Sequence, residues 1–179
     1  FGQGIAVLAG DALLTLAFEL ANKAPANKRY KSTHFISEIA KTAGHSQLIA
    51  GQVADLEGEG KSVSKSQLKY IHERKTSALL TCAVKLGGMA ANCTPRQLEA
   101  LTEFGYNVGL AFQVIDDILD VTQTSKKLGK TAGKDEAAQK ATYPSVVGLD
   151  NARKIATKLT TKAYDALKPF KGRAIALEA

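Results

Sequence analysis

The chain is predicted to be a single all-α domain spanning residues 1–179, on three observations. Four prolines, Pro25, Pro95, Pro144 and Pro169, stand near the ends of segments with helical hydrophobic period, where a missing N–H and a fixed φ do least harm. No segment alternates apolar and polar residues as a half-buried strand would. Composition is ordinary for a folded domain, 45% hydrophobic and 23% charged, which excludes disordered, collagen-like and disulfide-scaffold classes.

The first helix is expected over Ile5 to Lys23. It is apolar on nearly every face, which predicts burial, and "NKAPANK" ends it. A second helix is expected from about Ser32 to Glu57, stopping at the Gly58 and Gly60 pair. Ser64 followed by Gln67 forms a capping box that opens a third, running to about Ala91. Thr94 as N-cap, Pro95 at the first helical position and Gln97 two further on give the strongest helix start in the chain, sustained for some 25 residues through "FQVIDDILD". A polar, glycine-containing loop is expected from roughly Thr122 to Thr142. The amphipathic stretch "GLDNARKIATKLTTKAYDAL" then supplies a last helix.

The net charge of +7 is uneven. Residues 1–120 carry twelve basic and twelve acidic side chains, whereas residues 121–179 carry twelve basic and five acidic. No arginine run or interleaved aromatic accompanies the excess lysines, so nucleic acid is disfavoured, leaving an anionic surface or an anionic small molecule. Cys82 and Cys93 match no metal-ligand spacing and sit among apolar helical residues, which predicts free thiols in a reducing, intracellular compartment. Eighteen uninterrupted apolar residues occur nowhere, and no transmembrane segment is expected.

Three aspartates interrupt the most apolar helical stretch. At about 100° per residue, with Asp116 at zero, Asp120 falls near 40°, Gln113 near 60° and Asp117 near 100°, so all four polar heads share one side. Clustered carboxylates without a counter-cation repel one another and raise each other's proton affinity. A hard divalent ion removes that repulsion, and magnesium in particular uses one or two carboxylates together with water and phosphate oxygens. The loop "SKKLGKTAGKD" places Lys126, Lys127, Lys130 and Lys134 just beyond, as point charges suited to phosphate.

Other patterns fail. Only three residues separate Gly129 from Gly133, and Asp135 follows Lys134 where a P-loop needs Ser or Thr. "DLEGEG" from Asp55 begins like a calcium loop, yet its twelfth position is Ser66 instead of Glu. Gln52 and Asp55 share one helix face, as a helix-end polar pair or as part of a cleft. His34, His45 and His72 have no zinc spacing and read as ordinary surface or satisfied histidines. Lys75 and Thr76 lie in a helix beside apolar residues, where a solvated lysine is the default.

Six segments in order, "VLAGDALLTLAFE" (7–19), "GQVADLEGEG" (51–60), "ERKTSALL" (73–80), "GLAFQVIDDILD" (109–120), "LGKTAGKD" (128–135) and "KATYPSVVGLDNAR" (140–153), resemble the trans-isoprenyl diphosphate synthase, or polyprenyl synthetase, family. The likeness is greatest to short-chain geranylgeranyl and farnesyl diphosphate synthases. It implies an isoprenoid-synthase-type helical bundle around a central cleft, a homodimer, Mg2+, and condensation of isopentenyl diphosphate with an allylic diphosphate to a C20 or C15 product.

The same resemblance implies roles residue by residue. Asp116 would ligate magnesium directly, with Asp117 and Asp120 helping to hold it. Lys75, Thr76, Gln113 and Lys130 would act on the allylic diphosphate, and Lys140 would approach it. The family's first aspartate-rich motif lies upstream of Phe1 in this comparison. The 179 residues are therefore expected to be the later part of a longer enzyme, without its N-terminal helices or last helix, and inactive alone. Cytoplasm or plastid stroma is the implied location. A non-catalytic subunit of a heteromeric synthase is the competing reading, against which the intact "DDILD" argues.

Overall fold

A computed structural model describes residues 2–122 and 140–178 of the chain. Among these, every regular element is helical: α1 Gln3–Lys23, α2 Ser32–Ala43, α3 Leu48–Gly58, α4 Lys65–His72, a π-helical turn Glu73–Ser77, α5 Ala78–Ala90, α6 Pro95–Thr122, α7 Tyr143–Val147, α8 Leu149–Leu167 and α9 Ile175–Glu178, with a short 3-10 turn at Lys168–Phe170.

The predicted starts are built as the sequence implies. The Ser64 hydroxyl accepts from the Gln67 backbone N–H at 3.3 Å, while Gln67 Oε1 accepts from the Ser64 N–H at 2.9 Å. Thr94 and Gln97 repeat the exchange at 3.3 and 2.8 Å. Each box satisfies two donors that a helix start otherwise leaves open, worth about 1 kcal/mol.

Two expectations are corrected. The helix predicted from Ser32 to Glu57 is two helices, because Gly44 leaves α2 with extended backbone (φ −80°, ψ −172°). A turn then lets the Gly44 carbonyl accept from both Gln47 and Ile49. Helix α1, expected to be buried, buries only Ala21, while Val7, Leu8, Leu13 and Leu20 are each more than half exposed. Its hydropathy arises from all-round apolar composition, yet among the described residues its packing is concentrated at its C-terminal end, where Ala17, Phe18 and Ala21 join a cluster with α2 and α5. By length and composition alone α1 is also apolar enough to cross a membrane.

Helix α6 is the axis on which α5 and α8 pack. Leu101 and Phe104 of α6 meet Ala163, Ala166 and Leu167 of α8 in one core cluster. Val114 of α6 meets Leu68 of α4, Tyr143 of α7, and Ala152 and Ala156 of α8 in another, directly beneath the aspartate-bearing turn. The alanines let α8 approach α6 closely, and the buried face continues along α6 from Ala100 to Asp120. A third cluster joins Ala21, Phe35 and Ile39 to Cys82, Met89 and Cys93. Both cysteines are buried free thiols, as expected.

Candidate functional site

The π-helical turn between α4 and α5 is the local feature on which the site is built. A π-turn holds one more residue than an α-turn and recurs where a helix must re-aim its side chains. Helices α3 and α6 press on it from two sides. A Cβ at Gly51 would lie 2.4 Å from the Lys75 backbone nitrogen, and one at Gly109 would lie 2.5 Å from Ser77 Cα. Only glycine admits these approaches. Ser77 is buried and donates its hydroxyl to the Tyr106 carbonyl at 2.9 Å, tying the turn to α6.

Held in this way, Thr76 donates to Gln113 Oε1 at 2.9 Å, and the Gln113 amide reaches Asp117 Oδ1 at 3.4 Å. Asp117 is 2% exposed, and its other oxygen accepts the Tyr143 backbone N–H at 2.8 Å. Asp120 is buried as well, whereas Asp116 is half-buried. On the flank of α6 next to Asp116, Phe112 and Ile115 are exposed, while Val114, Asp117 and Asp120 are buried, so the acidic face runs from half-buried Asp116 into the interior. The shared face computed from helix geometry is therefore present. It is packed against α4 and α7, and α6, for all its apolar composition, leaves Phe112, Ile115 and Val121 exposed.

Lys75 and Lys140 meet at a carboxylate. Lys75 Nζ donates to Asp55 Oδ2 at 2.7 Å and Lys140 Nζ donates to the same oxygen at 2.9 Å. Lys140 also pairs with Glu59 at 3.1 Å. Burial pushes the Asp55 carboxyl up, but the two ammonium donors outweigh it and its pKa lies below the ordinary value. The hydrogen bond to Asp55 raises the pKa of Lys140. Lys130, with Lys126, Lys127 and Lys134, lies outside the described residues.

His72 is the surprise. Read from sequence as ordinary, it is 6% exposed, its ring lies 5.4 Å from that of Tyr143, and its Nε2 is 3.9 Å from Asp117 Oδ2. Burial, reinforced by the Lys75 charge, lowers its pKa to about 4, against the opposing pull of Asp55 and Asp116. At neutral pH it is an uncharged ring beside the acidic face. The charges of Lys75, Asp55 and Asp116 all bear on this one imidazole. Nothing in its spacing marked His72; Asp55 had a signal in its place on the α3 face, while Gln52 of the same face is exposed.

The family model of polyprenyl synthetases matches residues 1–174. The chain belongs to the polyprenyl synthetase family. It is 45% identical over 174 residues to "Geranylgeranyl pyrophosphate synthase, chloroplastic" of Catharanthus roseus, covering 95% of itself and 48% of that relative. It is 44% identical over 182 residues to "Dimethylallyltranstransferase" of Fischerella ambigua, covering 99% of itself and 52% of that protein. Among solved structures, the Helicobacter pylori geranyltransferase complexed with magnesium and isoprenyl diphosphate superposes with a TM-score of 0.80 at 33% identity, over 97% of this chain and 56% of that one. The geranylgeranyl pyrophosphate synthetase of Pyrococcus horikoshii gives 0.78 at 30%, over 93% and 62%. The chain thus spans about half the length of the curated relatives it matches.

The donor set also bears on a metal. Among the described residues, no three His, Cys, Asp or Glu side chains converge as a ready-made metal cage. Magnesium does not need one, since it keeps water and takes oxygens from a phosphate substrate beside one or two carboxylates. Asp116, half-exposed at the edge of the acidic face, fits such a ligand. Asp117, held by Gln113 and Tyr143, fits the role of a buried charge behind it.

Proposed function

We propose that the full-length protein is a magnesium-dependent prenyltransferase that condenses isopentenyl diphosphate with an allylic diphosphate, giving a trans-prenyl diphosphate of twenty carbons, with fifteen as the next choice. The observation that carries this is the chain of hydrogen bonds from Thr76 through Gln113 to Asp117, which ties the turn that bears Lys75 to the acidic face of α6, while Lys75 and Lys140 meet at Asp55. An allylic diphosphate needs cations around its leaving oxygens and oxygen ligands for the metal that accompanies it. The relatives named for geranylgeranyl pyrophosphate, and the H. pylori structure with magnesium and isoprenyl diphosphate, support the substrate class.

Asp116 would ligate Mg2+ directly, with Asp117 and Asp120 behind it helping to hold it, partly through water; when bound, the ion neutralises diphosphate oxygen. Lys75 and Lys140 bind that diphosphate, with Lys130 read from the resemblance as a third cation. The allylic C–O bond breaks and its electron pair leaves with diphosphate. The isopentenyl double bond then attacks the cationic carbon, and loss of a proton restores an alkene five carbons longer. Thr76 and Gln113, linked to each other and onward to Asp117, orient polar atoms at the cation, and the apolar residues of α6 restrict water that would capture it as an alcohol.

A homodimer is proposed on the family resemblance. Buried free thiols and chloroplast-named plant relatives support a reducing compartment, cytoplasm or plastid stroma. Incubating the full-length protein with isopentenyl and dimethylallyl diphosphates and Mg2+, then identifying the alcohols after phosphatase treatment, tests the reading. Geranylgeraniol is expected; absence of any elongated alcohol overturns it.

A further inference from the structure

Asp55 has no place in the chemistry just described, yet it is the point on which two of its cations converge. Lys75 comes from the π-turn and Lys140 from the residue range ahead of α7, and both donate to one oxygen, Oδ2, at 2.7 and 2.9 Å. Two ammonium groups brought to one atom repel strongly once partly withdrawn from water, and their side chains are only 31% and 26% exposed. A carboxylate between them removes the repulsion and fixes the direction of both long, flexible side chains. Lysine carries three N–H donors. Lys75 spends one on Asp55, while Lys140 spends one on Asp55 and one on Glu59, so both retain a donor for a second anion. Asp55 therefore does not have to be displaced when phosphate oxygens arrive.

We infer that Asp55 is a positioning residue that clamps Lys75 and Lys140 into one paired diphosphate-binding group, setting where the two ammonium ions stand as the leaving oxygen gains charge. This rests on the prenyltransferase reading above. The clamp has a signature that a purely structural role lacks. Without Asp55 the bound anion loses a like-charged neighbour, so ground-state affinity for diphosphate is kept or gained. What is lost is aim, which is felt in the transition state.

The test uses the full-length protein, wild type and Asp55→Asn, with two readouts: kcat for allylic elongation, and Kd for inorganic diphosphate in the presence of Mg2+ by calorimetry. The expected result is a kcat at least tenfold lower with a Kd unchanged within threefold or tighter, and an intermediate kcat in Asp55→Glu, which keeps the charge on a longer stem. A kcat within twofold of wild type, or a kcat loss matched by an equal weakening of diphosphate binding, overturns the inference. If Asp55→Asn gives no folded protein by circular dichroism, Asp55→Glu decides: a threefold or greater loss of kcat at unchanged Kd supports the clamp, and wild-type kcat overturns it. A wild-type protein that elongates nothing overturns the functional reading and the clamp with it, whereas an active wild type with an unaffected variant overturns the clamp alone.

Discussion

Thr76 and Gln113, from different helices and 37 positions apart in sequence, are joined by a 2.9 Å hydrogen bond from hydroxyl to amide oxygen. The bond sets the rotation of the Gln113 amide and so which of its atoms turns toward Asp117. Thr76→Val keeps the branched shape and removes the donor. Net loss of one such bond costs about 1 kcal/mol of stability. The larger expected effect is on turnover, a fall of roughly tenfold in kcat, read from steady-state elongation kinetics. Unchanged kcat would remove the pair from the site.

Asp116 is the half-exposed member of the acidic face and the proposed metal ligand. Asp116→Ala is expected to abolish Mg2+-dependent binding of inorganic diphosphate and to lower kcat by on the order of a hundredfold or more. Asp150, 88% exposed at the start of α8, serves as the control, and its alanine variant should match wild type. Calorimetry with and without Mg2+ checks both. Equal behaviour of the two variants would speak against a metal at Asp116.

Gly109 lies where α6 meets the π-turn, and a methyl there would stand 2.5 Å from Ser77 Cα and 2.8 Å from its hydroxyl. Both contacts involve the backbone or a buried side chain, so the helices must separate. Gly109→Ala should destabilise by about 1–3 kcal/mol despite alanine's better helix propensity, and it should lower kcat by shifting Thr76. Chemical denaturation and steady-state kinetics check the two parts. A variant more stable than wild type would mean that the contact is loose.

The Asp55 carboxyl titrates below its usual 3.8 and the Lys140 amine above its usual 10.5. The depressed carboxyl contributes stability that is present above its unfolded value and lost as pH falls through its lower folded value. The raised amine contributes stability that is present below its unfolded value and lost as pH rises through its higher folded one. The gap in melting temperature between wild type and Asp55→Asn should therefore be flat across neutral pH and shrink in acid below about pH 4. Thermal melts across pH measure it; a gap that widens in acid would contradict the pairing.

Helix class, both capping boxes and the polar face of α6 were legible because each depends on residues a few positions apart. Gly44 was not, since a glycine within helical period becomes a break only when the following turn finds its partners, here Gln47 and Ile49 on one carbonyl. The exposure of α1 was also hidden: sequence gives apolarity, but burial depends on which surfaces meet it. Lys75 and Lys140 were nameable by resemblance, and their meeting at Asp55 spans 20 and 85 positions, beyond any local rule. His72 gave no pattern at all, because its role comes from enclosure by Tyr143 and Asp117. The π-turn is met by close approaches at Gly51 and Gly109 on two other helices, which no local pattern announces.

A crystal structure of the full-length protein with Mg2+ and an unreactive thio analogue of dimethylallyl diphosphate tests most directly whether one diphosphate is shared by the acidic face and the lysine pair. The predicted result is a metal on Asp116 and diphosphate oxygens within hydrogen-bond distance of Lys75 and Lys140. A diphosphate bound elsewhere, with both lysines on Asp55 alone and Asp116 without metal, would contradict it.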